Sequence, residues 1–331
     1  MPRAWRIGLA LAALSAAALG LSLAFGSRAI APLDLARVLF APDGSVDAQI
    51  VQELRLPRAL AAFGTGGLLA IAGALMQVLL RNPLADPYVM GASGGAAVGA
   101  LGAMLLGAGG VLIQGGAFGG ALASTGLVFM LARREFAGAS LTDPGTGAPR
   151  LLLAGVMLAA LWTALVTLLL TIAPEARIRG MLFWLAGDLS AGSGGAVAWA
   201  ALIVITLAAW PLGRALNVVL RGPIAAQALG VRVQGVRRML FVLASLATAV
   251  AVTTSGAVGF VGLVVPHALR LAIGNDQRVL LPACALAGGA LLVLADTVAR
   301  TVITPQQLPV GLVTALLGVP SFLMLLLGRM R

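Results

Sequence analysis

Apolar stretches long enough to cross a lipid bilayer follow one another along almost the whole of this 331-residue chain. A spanning α-helix needs about 20 consecutive, mostly apolar residues. Sixty per cent of the residues are hydrophobic and only 10% are charged, which is too little charge to cover a soluble protein of this length. The sequence therefore predicts an all-α integral membrane protein with a single domain over residues 1–331.

The apolar runs predict about ten transmembrane helices. The first run is expected to be a retained helix, because its 19 residues exceed the roughly 7–15 apolar residues of a cleaved signal peptide. The run that contains Pro266 is short enough to be a broken or half helix. The predicted spans are Ile7–Phe25, Ala59–Leu80, Gly91–Leu106, Val111–Ala132, Leu151–Ala173, Ala196–Leu212, Met239–Thr254, Val258–Ile273, Val279–Thr297 and Leu308–Leu327.

The chain has a net charge of +11, and all 22 of its Lys and Arg residues are arginine. These arginines are scattered at the ends of apolar runs and form no single basic face, so a nucleic-acid partner is not indicated. With the N-terminus placed in the cytoplasm, 15 of the 22 basic residues but only four of the 11 acidic residues fall on the inner side. This asymmetry matches the positive-inside rule and predicts that both termini are cytoplasmic.

Small residues at helical spacing predict tight contacts between the membrane helices. One row contains Gly95, Gly99, Ala103 and Gly107, and the pairs Gly115/Gly119 and Gly116/Gly120 repeat the four-residue interval. Lipid tails are as apolar as leucine, so membrane helices associate through close backbone approach, which small residues permit. The pattern predicts a packed bundle and does not by itself indicate a pore.

The longest inner segment, Gly213–Arg238, has five arginines and no acidic residue. Its apolar residues are divided by Gly222–Pro223, which predicts two short amphipathic helices. Such a segment could be a basic loop that lies on anionic lipid. Two apolar faces joined by a tight turn slightly favour docking to a cytoplasmic partner instead.

The sequence lacks the residues that an enzyme of the usual classes requires. It has no GxxxxGK[ST] phosphate loop, and His267 is its only histidine, so a histidine-based metal site or triad is not expected. An ion-coupled secondary transporter is the alternative class, because such carriers keep ionisable residues at membrane depth. Only Asp296, four residues before Arg300, and the polar Gln77 fit that description, which argues against an ion relay.

Several motifs resemble the permeases that import ferric siderophores, haem and vitamin B12. In chain order they are Arg55-Leu56-Pro57-Arg58, Gly64–Gln77, Arg81–Ala100, Arg150–Leu158, Gly259–Arg270, Leu294–Arg300 and Leu308–Leu326. The resemblance covers nearly the whole chain. It implies the type II permease architecture of ATP-binding cassette importers, with ten helices per subunit and a homodimer around a central path in the bacterial inner membrane. Two cytoplasmic ATPase subunits would hold ATP and magnesium, and a periplasmic substrate-binding protein would dock outside; this subunit would bind no cofactor or metal.

The resemblance also implies roles for individual residues. Arg55, Arg58 and Arg300 would receive acidic residues of the binding protein; the alternative is that they pair within the chain, with Glu53 and Asp296. Residues 213–238 would be coupling helices that fit the ATPase, and the inner-face loop would contribute beside them. The implied coupling residues are Arg221, Gly222, Pro223, Ala228, Leu229 and Gly230, and the implied loop residues are Asn82, Pro83, Asp86 and Pro87.

Two features depart from the family pattern. Gln307 stands where an acidic residue is common before Leu-Pro-Val-Gly, and the loop before Arg150 is longer than in the vitamin B12 permeases, with an insertion near residues 136–147. Ser140 and Thr142 are therefore only weak candidates for a gate. Tyr88, Met90 and Trp184 could lie near the cargo path, although packing is the favoured role for each, and Asp188 could border the cargo. His267 is expected to be structural rather than a haem ligand. The cargo class remains open between corrinoid, ferric siderophore and haem, with a slight preference for the first two.

Overall fold

The computed structural model describes residues 2–26, 28–40, 44–133, 147–190, 194–303 and 306–328. These residues form helices joined by short turns, and no β-strand occurs among them. The first half contains α1 (Pro2–Ala24), α2 (Pro32–Phe40), α3 (Val46–Gln49), a π-helical turn (Ile50–Arg55), α4 (Leu56–Leu79), a 3₁₀ turn (Pro87–Met90), α5 (Ala92–Leu105) and α6 (Gly110–Leu131). The second half contains α7 (Gly147–Ile172), α8 (Glu175–Leu185), α9 (Gly195–Ala209), a 3₁₀ turn (Trp210–Leu212), α10 (Gly213–Val219), α11 (Pro223–Ala228), α12 (Val233–Ser255), α13 (Val261–Ile273), α14 (Gln277–Thr301) and α15 (Val310–Gly328).

The apolar helices coincide with the predicted spans. Within the described ranges, seven helical stretches are long and apolar enough to cross a membrane, and they contain α1, α4, α6, α7, α9, α12 and α14. The apolar helices α5, α13 and α15 are shorter. The all-α membrane class is therefore confirmed, while the number of ten complete crossings stays a prediction. Helix α13 extends about 20 Å, which is about two thirds of the roughly 30 Å hydrocarbon core, so the run with Pro266 forms a helix too short for a full crossing.

Helix α4 forms the centre of the bundle. In its most apolar window 94% of the residues are buried, and it packs against α9, α12, α13 and α14. Glycines make this possible: a Cβ at Gly66 would overlap the carbonyl group of Gly288 in α14, and one at Gly73 would overlap the carbonyl group of Gly262 in α13. The backbones therefore touch directly, as expected for helix packing in lipid.

Half of the predicted glycine pattern forms the interface between α5 and α6. Gly95 packs against Gly120, and Gly99 packs against Gly116. A Cβ on any of these four glycines would overlap the carbonyl oxygen of its partner. A Cβ at Gly115 or Gly119 would instead meet nothing within 4 Å. The four-residue spacing thus identified the interface correctly for one pair on α6, whereas the other pair lies on an open face of the same helix.

Two boundaries differ from the sequence-based expectation. Helix α12 begins at Val233, so the last residues of the 213–238 segment are the first turns of a long helix rather than part of the short amphipathic pair. Helix α8 (Glu175–Leu185) lies between the predicted spans Leu151–Ala173 and Ala196–Leu212, in a connection to which no helix was assigned. Its preceding Pro174 supplies a helix start that the long apolar run before it obscured.

Candidate functional site

A buried ion-pair cluster joins the start of α4 to the end of α14. Arg58 donates from Nε to both carboxylate oxygens of Asp296 at 3.0 Å, and from Nη2 to Oδ1 at 2.9 Å. Arg300 approaches the same carboxylate, with 3.1 Å between Nε and Oδ2, and its Nη2 donates to the hydroxyl of Ser22 in α1 at 2.8 Å. Asp296 is fully buried, so this cluster fixes three helix ends to one another.

The cluster carries more positive than negative charge. Two guanidinium groups share one carboxylate, and the remaining Nη1 of Arg58 donates to the amide oxygen of Gln307 at 2.6 Å. Gln307 is the position at which the family pattern favours an acidic residue. Its amide accepts the hydrogen bond without balancing the charge, so the two arginines and Asp296 together have a net charge of +1.

Arg55 binds the end of a neighbouring helix. It is the last residue of the π-helical turn, a distortion that often marks functional positions, and it is buried. Its Nη1 donates to the carbonyl oxygens of Leu23 at 2.6 Å and Ala24 at 3.0 Å, and its Nη2 donates to the carbonyl of Arg28. A guanidinium at the C-terminus of α1 satisfies carbonyls that lack partners within the helix and complements the helix dipole.

The three arginines predicted to dock the binding protein therefore point inward. Arg55, Arg58 and Arg300 are exposed by 4%, 7% and 9%. Arg58 and Arg300 pair within the chain, because both contact Asp296. Arg55 also has partners within the chain, but these are carbonyl groups rather than Glu53. A docking role for them stays a prediction, and it would have to operate on side chains that already have intrachain partners.

At the opposite end of the bundle, α10 and α11 form the predicted pair of short helices. Gly222 separates them with φ 116° and ψ 153°, a conformation essentially restricted to glycine, and Pro223 then begins α11. Helix α11 ends in a Schellman motif: Gly230, at φ 77°, donates to the Gln227 carbonyl and Val231 donates to the Ala226 carbonyl, both at 2.9 Å. Val219, Ala226 and Val233 form a small apolar core beneath the pair.

The short pair is anchored to the start of α14. The side chain of Asn217 donates to Asp276 Oδ1 at 2.8 Å and accepts from the Gln277 N–H at 2.9 Å. Asp276 also forms an ion pair with Arg278 at 2.7 Å. The hydrogen bond from Arg278 is the main reason that the pKa of Asp276 lies well below its usual value; burial opposes this shift, and Asn217 supports it.

The surface of the pair presents apolar side chains to the outside. Ile224 and Leu229 are exposed by 71% and 66%, and Arg221, Ala228 and Gly230 are exposed as well, while Gly222 and Pro223 are half-buried. Exposed apolar residues rimmed by charge on a rigid surface are typical of a protein contact site. The predicted coupling residues thus lie together on one exposed element.

The predicted inner-face loop is exposed at Pro83 and buried at Pro87. Asn82 and Pro83 adjoin the end of α4, where the Asn82 N–H donates to the Gln77 carbonyl. Pro87, however, packs against Gly262, which itself lies against Leu69 and Gly73 in the middle of α4. Six residues of helix separate Gly73 from the end of α4, or about 9 Å. Pro87 therefore packs below the end of α4, and we call residues 86–91 the re-entrant segment. A role of Asp86 and Pro87 on the inner face stays a prediction.

Hydrogen bonds hold the re-entrant segment in place. The Asp86 carboxylate accepts from the Tyr88 N–H at 2.7 Å, which starts the 3₁₀ turn. The Tyr88 hydroxyl donates to the Val258 carbonyl and accepts from the Val258 N–H, both at 3.0 Å. At the end of the turn, Ser124 donates to the Gly91 carbonyl at 2.8 Å and accepts from Trp162 Nε1 at 2.7 Å. Backbone at this depth is tolerated because protein groups satisfy it.

Of the remaining candidate residues, two lie outside the described residues and four have contacts within the chain. Ser140 and Thr142 lie outside the described residues, so their gate role stays a prediction. Met90 and Trp184 are buried, and Asp188 accepts hydrogen bonds from Ser190 at 2.7 and 2.8 Å, so these three contact neighbours within the chain. His267 is buried and packs edge-on against Phe322, with 5.8 Å between ring centroids.

Sequence reasoning missed the residues that join the elements. Asn217, Ser22 and the backbone groups of Val258 carry no local motif, because their partners are distant in the chain. Asp276 did have a detectable signal: an aspartate just after Gly274 and before an apolar run is typical of a helix N-cap, and the structure confirms that its carboxylate accepts from the Arg278 N–H.

The family comparison places this geometry among transport proteins. The model of the FecCD transport family matches residues 14–328. The chain is 45% identical over 284 residues to the "Cobalamin import system permease protein BtuC" of Halobacterium salinarum, covering 85% of this chain and 74% of that protein. It is 40% identical over 327 residues to the "Vitamin B12 import system permease protein BtuC" of Escherichia coli O139:H28, covering 96% and 94% of the two chains.

Solved structures share the fold. A metal-chelate type ABC transporter in an inward-facing conformation superposes with a TM-score of 0.83 at 28% identity, covering 98% of this chain and 99% of that one. PsaBC from Streptococcus pneumoniae, solved with a Fab, gives a TM-score of 0.59 at 18% identity over 84% of this chain and 93% of that one. The second similarity concerns the fold alone.

Proposed function

Because the chain belongs to the FecCD transport family, we propose that it is the membrane permease of an ATP-binding cassette importer for a vitamin B12-type corrinoid. The observation that carries the cargo assignment is the 40–45% identity to permeases named for vitamin B12 or cobalamin import. A ferric siderophore is the second candidate, since the solved relative is described as a metal-chelate transporter. Haem is the third candidate, which the family resemblance alone supports.

The permease itself would catalyse no reaction and bind no cofactor. Two ATPase subunits on its cytoplasmic side would bind ATP and magnesium, and both chain termini would face the cytoplasm of a bacterium across its inner membrane. The ATPases would contact the exposed face of α10 and α11, where Ile224 and Leu229 protrude. Burial of two such side chains contributes about 1.5–3 kcal/mol each, and Gly222 and Gly230 keep the pair in a fixed shape.

Charged substitutions on this face test the coupling role. Ile224→Asp and Leu229→Asp place a carboxylate in the proposed contact, so we expect the ATPase to be lost when the permease is purified from membranes. Leu33→Asp is the matched control, because Leu33 is 67% exposed but lies in α2 on the predicted outer side. Retention of the ATPase by both coupling variants, with normal uptake, would reject the assignment.

Uptake into proteoliposomes tests the cargo and the energy source. With the ATPase and binding protein supplied, ATP should drive accumulation of cyanocobalamin, and a ferric siderophore or haem should accumulate more slowly. Uptake that is driven by an ion gradient without ATP would instead support a secondary carrier. The burial of Asp296 between two arginines argues against that class, because an ion relay needs a carboxylate that can change its partner.

Two copies of the chain would enclose the cargo path. Helix α7 has the least buried window of the seven long spans, at 11%, so most of its surface needs a covering. Thr163, Thr167 and Thr171 form an exposed row along it, each donating its hydroxyl to the carbonyl four residues earlier at 2.8–2.9 Å. A polar row on a membrane helix fits a path between subunits better than contact with lipid tails.

Cysteine cross-linking tests this arrangement. The native Cys284 is buried, so an introduced thiol reports the new position alone. Thr167→Cys should give a cross-linked dimer with a short bismaleimide, and Val204→Cys, on an exposed face of α9, should not. Equal cross-linking at both positions, or at neither, would contradict a dimer built through α7.

The binding protein would dock on the outer surface formed by the ends of α1, α4 and α14. Because Arg58 and Arg300 are already paired, we propose that they position this surface and that acidic residues of the binding protein use its surplus positive charge. Gln307→Glu removes that surplus and restores the acidic residue that is common in the family. It should therefore weaken, without abolishing, co-purification of the binding protein while the ATPase stays bound. Unchanged binding would leave these arginines with a purely structural role.

A further inference from the structure

A large groove opens on the side of the bundle between α1, α9 and α14. Its volume is about 720 Å³, within the roughly 300–1,000 Å³ of cavities that hold small ligands. Its walls include Trp5 and Gly8 from α1, Leu207 from α9, Trp210 beside it, and Pro282 and Leu286 from α14. Almost all of the lining is apolar, so the groove suits a hydrocarbon chain.

The groove is polar at one end only. Arg278 lines it at the start of α14, and the groove continues along α14 as far as Leu286, which is a depth of about 12 Å. Trp210 donates its Nε1–H to the Arg278 carbonyl at 3.0 Å, so its ring is held at this end. Tryptophan is enriched where a membrane helix meets the headgroup layer. A groove with a basic end and apolar walls matches the structure of an amphiphile, which has a polar headgroup and an apolar chain.

The charges around the polar end of the groove indicate the sign of the headgroup. Arg278 lines the groove and is about half exposed. The exposed Arg6 and Arg214 do not line it, but they are the next residues in the chain after Trp5, in the groove wall, and Gly213, which packs against Arg278. Asp276 is the acidic partner here, and it pairs with Arg278. The balance is therefore positive. Basic pockets between helices on the cytoplasmic side are suited to anionic lipid headgroups.

We propose that this groove binds one anionic phospholipid of the inner leaflet, with an acyl chain along α14 and the phosphate at the arginines. This inference rests on the cytoplasmic placement that the proposed function gives to this end of the bundle. The site adjoins the anchor of α10, because Trp210 and Arg278 belong both to the groove and to the junction with Asp276 and Asn217. An occupied groove would therefore brace the element that contacts the ATPase.

A glycine allows the groove to be filled without disturbing the core. Gly8 lines it, and a Cβ at Gly8 meets nothing within 4 Å, so Gly8→Leu extends into the space that the acyl chain would occupy. Gly20→Leu is the matched control, because Gly20 lies in the same helix, outside the groove, and is equally open. A second, independent variant combines Arg6→Gln with Arg214→Gln and leaves the apolar walls unchanged.

Native mass spectrometry of the purified, delipidated permease measures lipid binding without any need for transport. We expect phosphatidylglycerol to bind about 30-fold more tightly than phosphatidylcholine, as expected for two arginines near the headgroup. Gly8→Leu should abolish this tight binding, the double arginine variant should remove the preference for phosphatidylglycerol, and Gly20→Leu should behave as the wild type.

Two results would overturn the proposal. Equal affinity for the two lipids would mean that only the general lipid shell is bound, and full binding by Gly8→Leu would place the lipid elsewhere. If Gly8→Leu does not fold, the double arginine variant still tests the proposal. Its ratio of affinities for phosphatidylglycerol and phosphatidylcholine must fall towards one. A failure of corrinoid transport would leave these binding results intact, so the lipid site and the proposed function are tested separately.

Discussion

Removing the negative charge of Asp296 should destabilise the permease strongly. Asp296→Asn preserves the shape of the side chain but leaves Arg58 and Arg300 buried with no counter-charge, raising the net charge of the cluster from +1 to +2. Breaking a buried ion pair by removing one partner costs about 3–5 kcal/mol. At roughly 2–4 °C per kcal/mol for a chain of this size, the unfolding midpoint should fall by about 6–20 °C.

Gln307→Glu should act in the opposite direction. It places a carboxylate where the amide oxygen now accepts from Arg58 Nη1 at 2.6 Å. Because residue 307 is exposed, the gain should be only about 1 kcal/mol. In the double variant Asp296→Asn/Gln307→Glu the cluster returns to a net charge of +1. Gln307→Glu should therefore increase the free energy of unfolding more in the Asp296→Asn background than in the wild type.

Thermal unfolding in lipid nanodiscs, followed by tryptophan fluorescence, measures these effects. Asp34→Asn is the control, because Asp34 belongs to an exposed ion pair with Arg37, at 56% and 73% exposure, and such pairs contribute little. A midpoint for Asp296→Asn within about 2 °C of the wild type would refute the reasoning. A double variant no more stable than Asp296→Asn would show that charge balance does not govern the cluster.

Three further predictions concern the fold. Tyr88→Phe removes both hydrogen bonds between the re-entrant segment and the loop before α13, so the unfolding free energy should fall by about 1–3 kcal/mol in denaturant titrations. Gly99→Ala should weaken the α5–α6 contact and lower the midpoint, whereas Gly115→Ala, on the open face, should leave it unchanged or raise it slightly through helix propensity. The pKa of Asp276 is lowered, so its contribution is present above the unfolded value of about 4 and is lost only below it. The midpoint difference between wild type and Asp276→Asn should therefore be the same at pH 5.5 and pH 8.

Local sequence signals predicted the elements that depend on local chemistry. The lengths of the apolar runs gave the membrane helices, and Gly222–Pro223 predicted the break between α10 and α11, because the backbone conformation there depends on those two residues. The short length of α13 was also predicted, from the short apolar run around Pro266. In each case the controlling residues are adjacent in the chain.

The orientation of the arginines could not be predicted in the same way. Charge counting assigns a residue to one side of the membrane, but it does not say whether the side chain points into the bundle. Arg58 and Asp296 are 238 positions apart, and their contact depends on the packing of α4 against α14. The depth of Pro87 likewise depends on Gly262, a residue on another helix. Long-range packing therefore decided the features that the sequence left open.

Helix α14 connects the two ends of the molecule that matter for transport. It begins at the junction with Asn217 and ends at the cluster of Asp296 and Arg300, about 37 Å apart for 25 residues. Polar contacts hold both of its ends. If α10 has the proposed coupling role, we therefore expect a displacement of α10 to reach the ion-pair cluster through this helix. Asn217 contributes two side-chain hydrogen bonds to the junction between α10 and α14.

Asn217→Ala should therefore separate ATP hydrolysis from transport. The exposed face of α10 and α11 is unchanged in this variant, so the ATPase should still bind and hydrolyse ATP, while corrinoid uptake in proteoliposomes should fall several-fold. Val204→Ala, an exposed position on α9 away from the proposed ATPase contact, is the control and should retain both activities. If uptake and hydrolysis fall in equal proportion in Asn217→Ala, the junction supports only the binding of the ATPase, and α14 does not transmit its motion.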